Sequence, residues 1–155
     1  MEFRILGPLE VCWEGREISL GGAKQRAVLA VLLLHRNEVV STDRLIDELW
    51  SDRPPATAPK VVQVYVSQLR KALRGRHARD EADSILVTRA PGYLLRIEPG
   101  ELDADRFEQL VDEGRRALAA GSPRLAAHTL LEGLALWRGP AFADFAHESF
   151  AQNEI

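Results

Sequence analysis

The chain has 155 residues, 46% hydrophobic and 28% charged, enough for one packed domain or a small domain joined to part of a second, and too apolar for a disordered chain. A net charge of −3 excludes a uniformly basic protein, and a single cysteine, Cys12, excludes an internal disulfide framework. The longest apolar run, residues 27–34, falls short of the roughly 20 residues that cross a bilayer, and no basic stretch leads an apolar one at the N-terminus, so neither a membrane segment nor a signal peptide is expected.

The first elements are short and extended. Leu9, Val11 and Trp13 alternate with Glu10, Cys12 and Glu14, and Ile18 and Leu20 alternate again after a Glu14-Gly15 turn. This pattern predicts two or three short antiparallel strands, ended by Gly21-Gly22. Residues 23–37 are rich in Ala, Leu, Lys, Gln and Arg and predict a helix. Its apolar residues run nearly all round it, so it belongs at the centre of the core. Val39-Val40 is a short extended piece. Ser41 and Thr42 are N-cap candidates for a short second helix whose buried stripe is Leu45, Ile46, Leu49 and Trp50, closed off by Pro54-Pro55.

A third helix is predicted over about 57–74, with Pro59 in its first turn. Val62, Val66, Leu69 and Leu73 fall on one side. Lys60, Gln63, Val64, Ser67, Gln68, Lys71 and Arg74 fall on the other, which holds many hydrogen-bond donors and no carboxylate. Base edges and phosphates require such a face, whereas an ordinary surface helix interleaves acids with bases. Residues 75–83 form a polar connection. Residues 85–88 and 93–97 then predict a hairpin turned by Arg89-Ala90-Pro91-Gly92. A domain boundary is expected near 98–101. Two helices follow, about 103–120 and 125–137, separated by Gly121-Ser122-Pro123, with Ser122 as a candidate cap. They resemble one unit of a helical repeat array, and one unit rarely buries its own apolar face, so the chain reads as a truncated piece of a longer parent. Trp13, Trp50 and Trp137 are expected in the core.

Charge follows this division. Residues 1–98 carry 15 Lys and Arg against 13 Asp and Glu, and residues 99–155 carry 5 against 10. Residues 60–79 hold Lys60, Arg70, Lys71, Arg74, Arg76 and Arg79 and no acid. A basic segment in a near-neutral chain points one surface at a polyanion, although basic helix ends also suit the helix dipole. Catalysis has little support. His35, His77, His128 and His147 are scattered without metal-ligand spacing, and Gly21-Gly22-Ala23-Lys24 lacks the spacing of a phosphate-binding loop. Asp103 and Asp105 sit where carboxylates are expected at a helix start. No enzyme activity, cofactor or metal is expected.

Strands, long helix, short helix, turn, basic helix and hairpin, in that order, make a winged helix-turn-helix. The stretch Tyr65-Val66-Ser67-Gln68-Leu69-Arg70-Lys71-Ala72-Leu73, with Arg89-Ala90-Pro91-Gly92-Tyr93, resembles the OmpR/PhoB-type DNA-binding domain. Leu6-Gly7-Pro8-Leu9, Lys24-Gln25-Arg26-Ala27-Val28-Leu29-Ala30, Leu45-Ile46-Asp47-Glu48-Leu49-Trp50 and Leu136-Trp137-Arg138-Gly139-Pro140 resemble, more narrowly, the Streptomyces antibiotic regulatory protein family. Each motif is weak alone, but their common order makes chance a poor account. The resemblance implies an α+β fold: an OmpR-type winged helix with an N-terminal antiparallel sheet and a C-terminal wing at about 85–97, over residues 1–98. The start of an all-α, TPR-like bacterial transcriptional activation domain then fills residues 99–155.

The resemblance further implies a cytoplasmic, nucleoid-associated bacterial activator. It would bind direct repeats in promoter DNA, as a dimer assembled there, and contact RNA polymerase including its sigma factor. On that reading Lys60, Gln63, Val64, Ser67, Gln68 and Lys71 form the recognition face. Arg70 touches phosphate at its flank, and Arg89 reaches from the wing toward the minor groove. OmpR-like helices often carry Arg at the Ser67 and Gln68 positions, so base preference does not transfer. Lys24, Arg26, Thr42, Arg53 and Arg74 are candidates for contacts to the DNA backbone or to polymerase, with Lys24 and Arg26 equally readable as a solvated helix start. A protein-interaction adaptor without DNA readout is the alternative, set against the acid-free face.

Overall fold

The computed structural model describes residues 1–74 and 84–152. The expected polar connection, with Arg76, His77 and Arg79, lies outside the described residues. The elements are β1 (Glu2–Arg4), β2 (Glu10–Trp13), β3 (Arg16–Glu17), α1 (Ala23–Leu34), β4 (Val39–Ser41), α2 (Thr42–Trp50), α3 (Ala58–Leu73), β5 (Leu86–Arg89), β6 (Gly92–Leu95), α4 (Asp103–Ala119), α5 (Pro123–Leu134) and α6 (Ser149–Gln152). The mixed helix-and-sheet class is the expected one. The chain forms two compact units, one of residues 1–14 and 98–144, the other of residues 15–97 and 145–155.

In the unit of residues 15–97, α1 is the core helix. Seven apolar residues, from Ala27 to Leu33, are buried in succession, as an apolar surface on every side requires. The buried stripe of α2 is Leu45, Ile46 and Leu49, with Trp50, expected among them, only half-buried, and that of α3 is Ala58, Val62, Val66, Leu69 and Leu73. These three helices pack on one another. Ser41 caps α2, its hydroxyl accepting from the Arg44 amide at 3.1 Å. Asn37, two residues beyond the His35 C-cap of α1, lies in the left-handed region at φ 63° and binds the end of the wing: its amide donates to Leu95 O at 2.8 Å, and its side chain pairs with Ile97 N at 2.9 Å and Ile97 O at 3.0 Å.

Val39-Val40, expected only as an extended piece, proves to be a sheet strand. The wing has three strands in the order β4-β6-β5, with Val40 opposite Tyr93 and Ser41 opposite Gly92. Gly92 is required there, because a Cβ would lie 1.9 Å from Val40 O. No local pattern announces this pairing, since β4 and β6 stand about fifty residues apart.

In the other unit, β1 and β2 form an antiparallel pair, with Phe3 opposite Val11. Asp103, at the start of α4, is buried and accepts from the amides of Ile5 at 2.8 Å and Leu6 at 3.0 Å. Burial pushes its carboxyl above the ordinary aspartate range, against the opposing pull of the Ile5, Leu6 and Ala104 amides and of Arg138. Two motifs distant in sequence meet here. Arg138 N donates to Leu6 O at 2.8 Å, and its guanidinium donates to Pro8 O at 2.9 Å and pairs with Glu10 at 2.6 Å.

Helices α4 and α5 pack closely because Gly114 leaves room for Leu130, which a Cβ would approach to 2.7 Å. Two expectations change in this unit. Ser122 stands at the N-cap of α5 without a side-chain bond to it. Trp137 is 41% exposed, with an edge-on contact to Phe107 at 5.4 Å, so it is not the core residue expected. Helix α5 ends at Leu134, three residues before this tryptophan, so periodicity no longer sets its side.

Candidate nucleic-acid interface

Helix α3 presents the face that its periodicity predicts. Lys60, Gln63, Val64, Ser67, Gln68, Lys71 and Arg74 are all exposed, while Val62, Val66 and Leu69 are buried on the other side. Helix α3 contains no Asp or Glu. Val64 is 47% exposed, an apolar contact point among amides and cations. Such a set suits the major groove. Amides pair with adenine, a hydroxyl with several bases, a methyl surface with the thymine methyl, and ammonium groups with phosphates. Arg53 is exposed in the turn between α2 and α3, where its amide donates to Trp50 O at 3.1 Å.

The wing stands beside this helix. Strands β5 and β6 pair from Leu86 opposite Leu95 to Arg89 opposite Gly92, so Ala90-Pro91 makes a two-residue turn and Arg89 is exposed at the tip. The turn is bound to the start of α2: Thr42 N donates to Pro91 O at 3.3 Å, and Thr42 Oγ1 lies 3.5 Å from the same oxygen. Thr42, expected as a DNA or polymerase contact, therefore also holds the wing turn.

Two cations have partners that sequence reasoning missed. Arg70 was expected at the flank, toward phosphate. Its Nε donates to Leu86 O at 2.8 Å and its Nη2 to Thr88 Oγ1 at 2.6 Å, and its guanidinium carbon stands 5.9 Å from the centre of the Tyr93 ring. It bridges α3 and the wing. Lys24 donates to Leu49 O and lies 6.0 Å from the centre of the Trp50 ring. It places a positive charge at the C-terminal end of α2, where the helix dipole favours one, rather than standing as a solvated helix start. Arg26 is half-buried on α1. Neither the bonds of Arg70 nor that of Lys24 had a sequence signal, because no local pattern names a backbone acceptor on another element.

Among the described residues, no group of three His, Cys, Asp or Glu side chains is placed to hold a metal ion, and no helix is long and apolar enough to cross a membrane.

Comparison with known proteins finds transcriptional regulators. The family model described as "Transcriptional regulatory protein, C terminal" matches residues 15–95, and that described as "Bacterial transcriptional activator domain" matches residues 102–155. The transcriptional regulatory protein MoaR1 of Mycobacterium tuberculosis is 41% identical over 153 residues, covering 98% of this chain and 49% of MoaR1. The regulatory protein DnrI of Streptomyces peucetius is 36% identical over 147 residues, covering 93% of this chain and 54% of DnrI. The solved structure of Mycobacterium tuberculosis EmbR in complex with a low-affinity phosphopeptide matches with a TM-score of 0.91 at 38% identity, over 98% of this chain and 40% of EmbR. The chain spans about half the length of the curated relatives it matches.

Proposed function

The chain belongs to the Streptomyces antibiotic regulatory protein family of transcriptional regulators, and from that premise we propose that it reads promoter DNA in a sequence-specific manner. One observation carries the proposal above the rest: the exposed face of α3 combines amides, a hydroxyl, an exposed valine and cations, and lacks any carboxylate. Helix α3 enters the major groove with Gln63, Val64, Ser67 and Gln68 toward base edges and Lys60, Lys71 and Arg74 toward phosphates. The wing lies along the adjacent backbone, and Arg89 reaches the minor groove, whose negative potential attracts a guanidinium. Thr42 and Arg53 lie where the DNA backbone or polymerase approaches. Lys24 is held at the end of α2 and is left out of the contact set.

The labour divides near residue 98. The proposed reading residues all lie within the unit of residues 15–97, while residues 1–14 group with residues 98–144, and residues 99–155 open a helical activation domain. The finer reading is a cytoplasmic activator that binds direct repeats as a dimer formed on DNA and contacts RNA polymerase through its sigma factor. Its support is the likeness of both parts to bacterial regulators together with the exposed loop that carries Arg53.

The test is selection of bound sequences from a random duplex library, followed by salt titration of the winner against a scrambled duplex. A repeated motif bound at least about a thousandfold more tightly than the scramble, with affinity falling steeply as salt rises, is the expected result. Weak and equal binding to both duplexes would turn the reading toward a protein-interaction module.

A further inference from the structure

Among the described residues, Arg70 is the cation of α3 whose guanidinium bonds the wing, and that geometry defines a second task for it. Strand β5 is an outer strand of the β4-β6-β5 sheet, with no strand on its far side among the described residues. An edge strand is held by one ladder only, so its position against a neighbouring helix depends on other bonds. Leu86 packs inward, fully buried, and its carbonyl accepts from Arg70 Nε at 2.8 Å. Two residues on, Thr88 accepts from Arg70 Nη2 at 2.6 Å. The following residue is Arg89, at the tip. Tyr93, cross-strand from Thr88 and buried, puts its ring 5.9 Å from the same guanidinium. A planar fork that bonds two acceptors and faces an aromatic ring fixes direction as well as distance, which a single ammonium does not.

We infer that Arg70 is a positioning residue that sets the wing against the recognition helix, and that it acts on DNA binding mainly through where it holds Arg89. This rests on the DNA-reading function proposed above, and it differs from the phosphate contact that the family resemblance implies for Arg70. A phosphate contact acts alone, and its loss adds to that of any other contact. A positioning bond acts through the group it positions, so the two losses do not add.

The full chain is tested as Arg70→Lys, Arg89→Ala and the double variant, with Thr88→Val as a second way to remove one of the bonds without touching α3. In wild type, Arg89→Ala is expected to weaken the selected duplex about tenfold, whereas in the Arg70→Lys background it weakens binding less than about twofold. Without DNA, amide exchange across residues 86–95 is expected to quicken on the order of tenfold in Arg70→Lys and in the same direction in Thr88→Val, while the amides of α1 keep wild-type rates. Multiplying losses in the double variant and unchanged exchange in the wing would overturn the proposal and leave Arg70 as a phosphate contact. A wild-type chain that prefers no duplex overturns the DNA reading and the role of Arg89 with it. The exchange measurement then still decides whether Arg70 holds the wing.

Discussion

The exposed side of α3 and the exposed side of the α4–α5 pair meet solvent with opposite chemistry. On α3 the outward residues are amides, a hydroxyl and cations, with Val64 the one large apolar residue among them. On α4 and α5, Leu118, Leu125, Leu131 and Leu134 are 58 to 64% exposed, and Trp137 just after α5 is 41% exposed. A face meant for a polyanion stays polar because its partner is hydrated and charged. Exposed leucines instead keep apolar area in water, where each large side chain forgoes about 1.5–3 kcal/mol of burial. Exposure by itself therefore says little about a surface, and the chemistry of the exposed side chains says what kind of partner it suits.

The largest effects should come from the bonds beneath the two regions. Asp103→Ala leaves the buried amides of Ile5 and Leu6 unpaired and should cost about 4 kcal/mol in chemical unfolding, melting the α4 unit while leaving the α3 face intact. The pH dependence has a definite sign. The folded Asp103 carboxyl titrates above the ordinary range, so the acid form is favoured in the fold. Its relative stabilisation is complete below the unfolded pKa and is lost as pH rises through the folded one. The stability of wild type relative to Asp103→Ala should therefore grow as pH falls from neutral through the raised folded pKa toward the ordinary aspartate range. A difference that shrinks over that window would contradict the assignment.

Gly92→Ala is expected to cost about 3 kcal/mol, since its Cβ cannot share space with Val40 O, and to disorder the wing more than the three helices when both are followed by amide exchange. Next comes Gln68→Ala, which should relax discrimination at one base pair by about 2 kcal/mol, while Lys71→Ala weakens all duplexes equally and lowers the salt slope by about one. If both behaved as wild type in equilibrium binding, the polar face of α3 would not be the reading surface. Smallest of all, Leu131→Gln should change unfolding by no more than about 0.5 kcal/mol, because the side chain it replaces is already 64% exposed. A larger loss would mean that the leucine is covered in solution, and the contrast between the two faces would fail.

What was legible in the sequence was local. The helical period separated Val62, Val66 and Leu69 from Gln63, Ser67 and Gln68, and the structure buries the first set and exposes the second. The Arg89-Ala90-Pro91-Gly92 turn announced the wing, and Ser41 announced the start of α2. The Leu6-Gly7-Pro8 and Trp137-Arg138-Gly139 motifs could be noticed, but not their meeting. Arg138 N reaches Leu6 O across more than a hundred residues.

The sequence by itself determined the element types, the buried stripe of α3 and its acid-free face, because side-chain period, turn chemistry and charge act over a few residues and are written along the chain. Tertiary structure alone decided that Val39–Ser41 joins the wing, that Arg70 and Lys24 turn their charges inward to Leu86, Thr88 and Leu49, that Asp103 holds Ile5 and Leu6, and that residues 1–14 group with residues 98–144. Those outcomes depend on which distant backbone acceptors and donors a fold leaves within about 3 Å of a side chain, and a buried polar group must take whichever partner the packing offers.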